Sequence, residues 1–229
     1  MASIRVKRGG KRKTLIVNRK TILLWAVAVL IVAALIAGAF WLDEPVRQFF
    51  LQHRSRALYR AMRQVSRFGD WPEHLAVGLI LIGIAWWRGS KTWMRIFLAM
   101  IIALALAGVT ARVIKIACGR ARPSVKTEQV VSRFSAKYQA FPSGHVAASS
   151  AFFGVLLVRK RRIGVICMII PAVIGFSRMY VAAHYLSDVV CAAILGVVCA
   201  FVVLRCIMPR IGNSQSGKLA HDRPHLRRL

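Results

Sequence analysis

Apolar residues along this chain come in long runs separated by short basic stretches, not in the brief alternating patterns of a soluble sheet. Thr21–Leu42 carries no charge, and its 22 residues suffice to cross about 30 Å of hydrocarbon. Further runs occupy Leu75–Trp87, Ile96–Ala111, Val146–Val158, Ile163–Ser177 and Tyr185–Leu204. Several fall short of about 18 residues, but snorkelling arginines and the interfacial Trp86, Trp87 and Trp93 extend them. The pattern predicts an all-α, polytopic membrane protein, a bundle of six transmembrane helices. Residues 45–68 read differently. Val46, Phe49, Phe50, Leu58, Ala61, Met62, Val65 and Phe68 recur at helical spacing, with Arg47, Arg54, Arg56, Arg60, Arg63 and Arg67 between them. That suits an amphipathic helix between the first two spans, lying in the headgroup zone or packed on the bundle. The expected organisation is a basic arm over 1–20, a membrane domain over 21–208 and a polar basic tail over 209–229. Ala37-Gly38-Ala39 resembles a signal-peptidase site, yet the run before it is long for a cleavable segment, so it reads as a retained anchor.

Composition supports the membrane assignment. Of the residues 57% are hydrophobic, with a mean hydropathy of +0.56, against about 45–50% in soluble domains. The net charge of +28 would raise nucleic-acid binding. The basic residues sit between apolar runs, however, which points to anionic lipid headgroups and away from nucleic acid. The stretches on one side of the expected spans hold 21 Lys and Arg and those on the other 14. The excess places both termini in the cytoplasm. The five cysteines show no metal or disulfide spacing, and oligomeric state leaves no mark on the sequence.

Three motifs carry chemistry. Lys115 and Arg122-Pro123 close the third expected span. Phe141-Pro142-Ser143-Gly144-His145 precedes the fourth, and Ser177-Arg178, His184 and Asp188 straddle the joint between the fifth and sixth. Six-span parity puts all three on the outer side. The 39 residues from His145 to His184 match two crossings of about 20 residues each. A phosphate group needs dispersed positive charge and many donors, which Arg122 and Arg178 offer as planar forks and Lys115 as a point charge. Ser143 stands where an N-cap would, so the Gly144 and His145 amides can point at an anion along the helix dipole. Two histidines divide the work of phosphoryl transfer, one attacking phosphorus as a neutral imidazole and the other protonating the leaving oxygen. Asp188, four residues after His184, shares its helix face and can hold its tautomer. Singly, each group has a plain alternative: a headgroup-facing histidine, a snorkelling cation, a helix cap, an Arg178–Asp188 ion pair. Their joint spacing on one face favours a site.

Together, K-x(6)-R-P, P-S-G-H and S-R-x(5)-H-x(3)-D resemble the three-part signature of the type 2 phosphatidic acid phosphatase (lipid phosphate phosphatase) superfamily, and every signature position is present. The resemblance covers roughly residues 70–205. It implies a six-helix bundle and hydrolysis of a membrane lipid phosphate without metal or other cofactor. It also implies a phosphohistidine on His184, His145 as general acid, Asp188 as partner of His184, and Lys115, Arg122, Ser143, Gly144 and Arg178 as phosphate ligands. The expected substrates are lipid phosphomonoesters or pyrophosphates, with undecaprenyl pyrophosphate, phosphatidylglycerol phosphate, phosphatidic acid and lipid A phosphate as candidates. The site is expected at the outer face of a bacterial inner membrane. The basic loop residues Arg112, Lys126, Arg133 and Lys137 suit an anionic headgroup. A lipid phosphotransferase of the same fold and a non-catalytic anionic-lipid carrier are the competing readings.

Overall fold

In the computed structural model, residues 4–6, 13–15, 19–125 and 135–207 are described. The expected tail over 209–229, most of the basic arm, and Lys126 and Arg133 lie outside them. The chain forms two compact units, residues 1–41 and 42–229. The first holds a two-stranded antiparallel hairpin, β1 (Ile4–Val6) and β2 (Lys13–Leu15), and helix α1 (Arg19–Trp41), whose uncharged run supplies the first candidate membrane span. Every other regular element among the described residues is helical.

The second unit begins with α2 (Asp43–Gln52) and α3 (Arg56–Phe68). The single amphipathic helix expected over 45–68 is therefore two helices. The break falls at His53–Ser55, where the Ser55 hydroxyl accepts from the Leu58 amide at 3.2 Å and caps α3. Asp70 caps α4 (Trp71–Trp87) in the same way, its Oδ1 taking the Trp71 amide at 2.8 Å. Next comes α5 (Lys91–Cys118), whose 28 residues rise about 42 Å and exceed the hydrocarbon thickness. It stops at Gly119, whose left-handed φ of 58° favours a residue without a side chain, and the Gly119 amide closes on the Lys115 carbonyl. Then follow α6 (Gly144–Arg159), α7 (Arg161–Cys167), α8 (Ile169–Tyr180) and α9 (Leu186–Val202). The expected run Ile163–Ser177 is thus divided at Met168. Pro171, in the first turn of α8, cannot donate to the preceding turn, so the second helix starts afresh just before it.

Helices occur at all six expected apolar runs. Four are long and apolar enough to span by themselves: Thr21–Trp41, Lys91–Cys118, Arg161–Tyr180 and Leu186–Cys206. Arg56–Phe68 and Trp71–Trp87 make a fifth only if taken together across a 54° bend, and Gly144–Arg159 is shorter than a full span. The protein is an all-α membrane protein with four or five spans by length. Its surface says the same, since Leu79, Ile80, Trp86, Val109, Ile166 and Ile169 all project outward, a patchwork that water would penalise.

The core of this unit lies where α5, α6 and α9 meet. Ile96, Ala99, Met100, Ala103, Leu104 and Ala107 follow one face of α5 and bury against Ala148, Ala151, Phe152 and Val155 of α6 and Cys199 and Ala200 of α9. Small residues set how closely these helices approach, as lipid gives apolar side chains no reason to leave it. Gly196 is the tightest point. A Cβ there would stand 2.6 Å from the Ala147 carbonyl oxygen and 2.7 Å from the Ala151 nitrogen, backbone atoms that cannot yield. Gly196→Ala should therefore destabilise the protein in detergent by about 1–3 kcal/mol. Gly83→Ala, where a Cβ meets nothing within 4 Å, should leave the melting temperature unchanged or raised. Equal melting temperatures for the two variants would refute close packing of α6 on α9.

Candidate active site

Three chain segments meet at one end of α5, α6 and α9. The turn after α5 carries Arg120 and Arg122, the start of α6 carries Gly144 and His145, and the α8–α9 connection carries His184. That connection is short and folds back on itself. The amides of Ala183 and His184 both reach the Arg178 carbonyl, at 3.0 and 3.3 Å, and Ala182 adopts a left-handed φ of 56° to allow it. Holding a residue with a side chain there costs about 1–2 kcal/mol, strain located immediately beside His184.

His184 is buried, 3% exposed. Its Nδ1 stands 3.5 Å from Asp188 Oδ2, an ion-pair contact whose alignment falls short of a hydrogen bond, so Nδ1 has no hydrogen-bond partner. The same carboxylate oxygen accepts the Tyr185 amide at 2.8 Å, which fixes Asp188 at the first turn of α9. Burial pushes the His184 imidazole down to about 4, against the opposing pull of Asp188. The ring is neutral at physiological pH.

Asp188 itself is fully buried, and its charge is matched by a residue that the motifs do not include. Arg120 Nη1 donates to Asp188 Oδ1 and to the Ser187 hydroxyl, both at 2.7 Å, and Nη2 donates to Asp43 Oδ2 at 2.7 Å. Asp43 in turn takes the Ser187 amide at 2.8 Å and its hydroxyl at 2.6 Å. The Tyr185 ring covers the guanidinium, 4.4 Å from its carbon to the ring centre. Burial opposes the charge on Arg120, but the hydrogen bonds and attraction of Asp43 and Asp188 outweigh it and raise the group above its usual value. The alternative Arg178–Asp188 pair does not form. Arg178 Nη1 instead donates to the buried Ser66 hydroxyl of α3.

A cavity of about 640 Å³ opens between α4, α5 and α6. Lys115, Arg122, Gly144, His145, Arg178 and His184 line one end, and Leu75, Ile101, Leu104, Ala105 and Val109 line the rest. Of the eight expected site residues, six therefore share one space. Asp188 stands behind His184. Ser143 is fully buried and does not face the cavity; its amide donates to the Asp188 carbonyl at 3.1 Å, and its hydroxyl neither caps α6 nor finds any hydrogen-bond partner. Lys115 Nζ donates to the Gln139 carbonyl at 2.9 Å, and Arg112 to the Gln139 side chain at 2.8 Å. Arg122 and Arg178 each keep a buried Nε without a hydrogen-bond partner. Burial also lowers the Arg122 pKa. Neither of these partly desolvated guanidiniums has a carboxylate within ion-pair distance among the described residues, so their donors are of the kind a bidentate anion can engage.

His145 meets another acid absent from the motifs. Its Nδ1 is 3.6 Å from Asp70 Oδ1, an ion-pair distance if the ring is protonated. Asp70 also lines the cavity, and its carbonyl holds buried His74 at 2.7 Å, whose other nitrogen reaches the Ser149 hydroxyl at 3.0 Å. One signal pointed to these acids. The chain has only seven Asp and Glu, so each demands an account. Among the described residues no three His, Cys, Asp or Glu side chains cluster closely enough to hold a metal ion.

The chain is similar to several known proteins. Over 186 residues the chain is 27% identical to lipid A 1-phosphatase from Rhizobium etli, covering 72% of this chain and 78% of that protein. It is 26% identical to phosphatidylglycerophosphatase B from Bacillus subtilis over 172 residues, 70% of this chain and 81% of the relative. A shorter match, 34% over 65 residues, links it to the undecaprenyl-diphosphatase BcrC of the same bacterium, covering 28% of this chain and 34% of that one. Among solved structures, LpxE from Aquifex aeolicus superposes with a TM-score of 0.58 at 23% identity, covering 72% of this chain and 95% of that one. The Bacillus subtilis phosphatidylglycerolphosphate phosphatase gives 0.60 at 23%, covering 78% and 92%. Residues 96–211, just over half the chain, match the PAP2 superfamily, and the protein belongs to it.

Proposed function

We propose that this protein is an integral membrane phosphatase that hydrolyses the phosphomonoester or pyrophosphate of a membrane lipid through a phosphohistidine. The observation that carries the reading is the two-ended cavity, with two imidazoles and the cations Lys115, Arg122 and Arg178 at one end and an aliphatic wall at the other. A lipid phosphate has the same division, and its tail can remain against α4 and α5 while the headgroup reaches the cations. The relatives' substrates, lipid A, phosphatidylglycerophosphate and undecaprenyl diphosphate, all belong to this class.

In the proposed mechanism Lys115, Arg122 and Arg178 clamp the non-bridging oxygens and offset the charge that spreads over them in the transition state. With Nδ1 turned to Asp188, His184 attacks through Nε2. The N–P bond forms as the P–O bond to the lipid breaks, and the electron pair departs on the lipid oxygen, which takes its proton from His145. Asp188 stabilises the cation left on the His184 ring, and Asp70 the protonated His145. Water then attacks phosphorus and breaks the N–P bond, losing its proton to His145, and inorganic phosphate leaves. Gly144 lets the backbone approach the phosphate closely. With both termini in the cytoplasm and six crossings, counting the bent α3–α4 pair and the short α6, the site lies at the outer face.

Phosphate release from a panel of lipid phosphates in detergent, with and without chelator, is the direct test. His184→Ala should cut kcat by on the order of a thousandfold or more; activity within tenfold of wild type would rule out His184 as nucleophile. Because burial holds its pKa near 4, the neutral, attacking form persists as pH falls through 6.5, and the loss of kcat/KM due to His184 should come only near pH 4. An acid limb from this group centred near pH 6.5 would contradict the buried geometry. Arg120 acts through Asp188, so it is a positioning residue. Arg120→Lys keeps the charge but cannot fork between Asp43 and Asp188, and should lower kcat about tenfold with KM unchanged. A rise in KM alone would instead put Arg120 on the substrate.

A further inference from the structure

A second recess, of about 880 Å³, shares Asp70, His145 and Arg178 with the aliphatic cavity. Its walls are of another kind. Arg60, Arg63 and Arg67 of α3 line it together with Gln64, Ser66 and Glu73, and its only aliphatic member is Ala61. The three arginines stand at i, i+3 and i+7, hence on one face of α3. The helix is tied to α8 at two points. Ser66 receives the Arg178 guanidinium, and Gly69 packs so closely on α8 that a Cβ there would meet Ile174 at 2.8 Å. None of the three arginines has a hydrogen bond, ion pair or ring contact among the described residues. Of the two carboxylates in the recess, Asp70 is engaged with the Trp71 amide and stands beside His145, and Glu73 keeps a buried oxygen without a hydrogen-bond partner. Four guanidiniums thus face two acids around a hollow that opens onto the two groups flanking the reacting phosphate.

Cations that serve only to attract a bilayer surface spread along a helix facing headgroups. Here they line a concavity next to Arg178, which suits one polyvalent anion. The aliphatic cavity is where the lipid sits, so any other phosphate at the site must use the polar recess. We propose that the recess is a second phosphoryl subsite. It takes a phosphate adjoining the one being cleaved, either the second phosphate of the substrate headgroup or the inorganic phosphate leaving the site. The proposal rests on the phosphatase reading above; a subsite for a substrate phosphate predicts a preference for lipids that carry two linked phosphates, and one for the departing phosphate predicts product inhibition.

The test is the variant Arg60→Gln/Arg63→Gln/Arg67→Gln, purified in an uncharged detergent. It is assayed on a lipid diphosphate and a lipid monophosphate with the same tail, with inorganic phosphate as inhibitor. If the subsite holds a substrate phosphate, KM for the diphosphate should rise about tenfold, while kcat and the KM for the monophosphate stay within twofold. If it holds the departing phosphate, both KM values should stand and the inhibition constant of inorganic phosphate should rise about tenfold. No change in any of these constants, or an equal rise in both KM values, would overturn the proposal, the latter revealing mere surface attraction. Calorimetric binding of methylenediphosphonate separates the subsite from turnover. Tenfold weaker binding by the variant supports the subsite even if wild type releases no phosphate, in which case the phosphatase reading alone falls. Should the triple variant not fold, single Arg→Gln variants are read the same way, with about twofold effects expected.

Discussion

A carboxylate buried among membrane helices has to be neutralised, and the way Asp188 meets that demand organises the site. It is fully buried and carries three obligations: the Arg120 fork, the Tyr185 amide and the His184 ring. Removing a charge from water costs several kcal/mol unless partners replace the solvent. Arg120 is such a partner, but it needs a second acid to justify its own half-burial, and Asp43 at the start of α2 provides it. A chain of compensation thus links the beginning of the unit to its last helix across 145 positions of sequence. Its terminal member is the imidazole that the proposed chemistry needs neutral and oriented.

Seen this way, the cations fall into two sets. Arg120 is engaged by two carboxylates, the Ser187 hydroxyl and the Tyr185 ring, and its pKa is raised. Arg122 and Arg178 sit a few residues or one helix away with buried Nε groups unsatisfied and no carboxylate in hydrogen-bond reach. An unpaired buried donor costs about 1–3 kcal/mol, a cost that the phosphate of the proposed substrate would recover. On that reading part of the binding energy is held as incomplete hydrogen bonding, within a frame packed closely at Gly196 and along the alanine face of α5.

The sequence made much of this visible because hydrocarbon imposes strict rules. Long apolar runs locate helices, and parity between them carries Lys115, His145 and His184 to one end of the bundle whatever the details of packing. What it concealed has physical causes. The break at Ser55 depends on one hydroxyl competing for one amide, and the break at Met168 on a proline inside a run that is otherwise uniformly apolar. Arg120 was indistinguishable from the basic loop around it, for nothing in Gly-Arg-Ala-Arg says which arginine turns inward to an acid. Ser143 shows the reverse. Its position before α6 suggested a cap, but packing against Asp188 claimed its amide and left its hydroxyl without one. Scarcity was the signal least used: with seven acids against 35 basic residues, Asp43 and Asp70 each pointed to a cationic or imidazole partner.

The excess charge also acquires a location. A protein at +28 would be expected to spread its cations over lipid-facing rims. Some residues do so, but Arg120 lies in the carboxylate network, Arg122 and Arg178 face the polar end of the aliphatic cavity, and Arg60, Arg63 and Arg67 line the recess beside α3. The two cavities meet at His145 and Arg178, and one has an aliphatic wall where the other has almost none. In the proposed reaction an amphiphile places its ester oxygen at that junction, between the aliphatic wall and the cations. There His145, the proposed general acid, would protonate an oxygen leaving toward the lipid while the phosphoryl group stays with the cations. On that reading the position of His145 follows from the same partition of polar and apolar surface that positions the substrate.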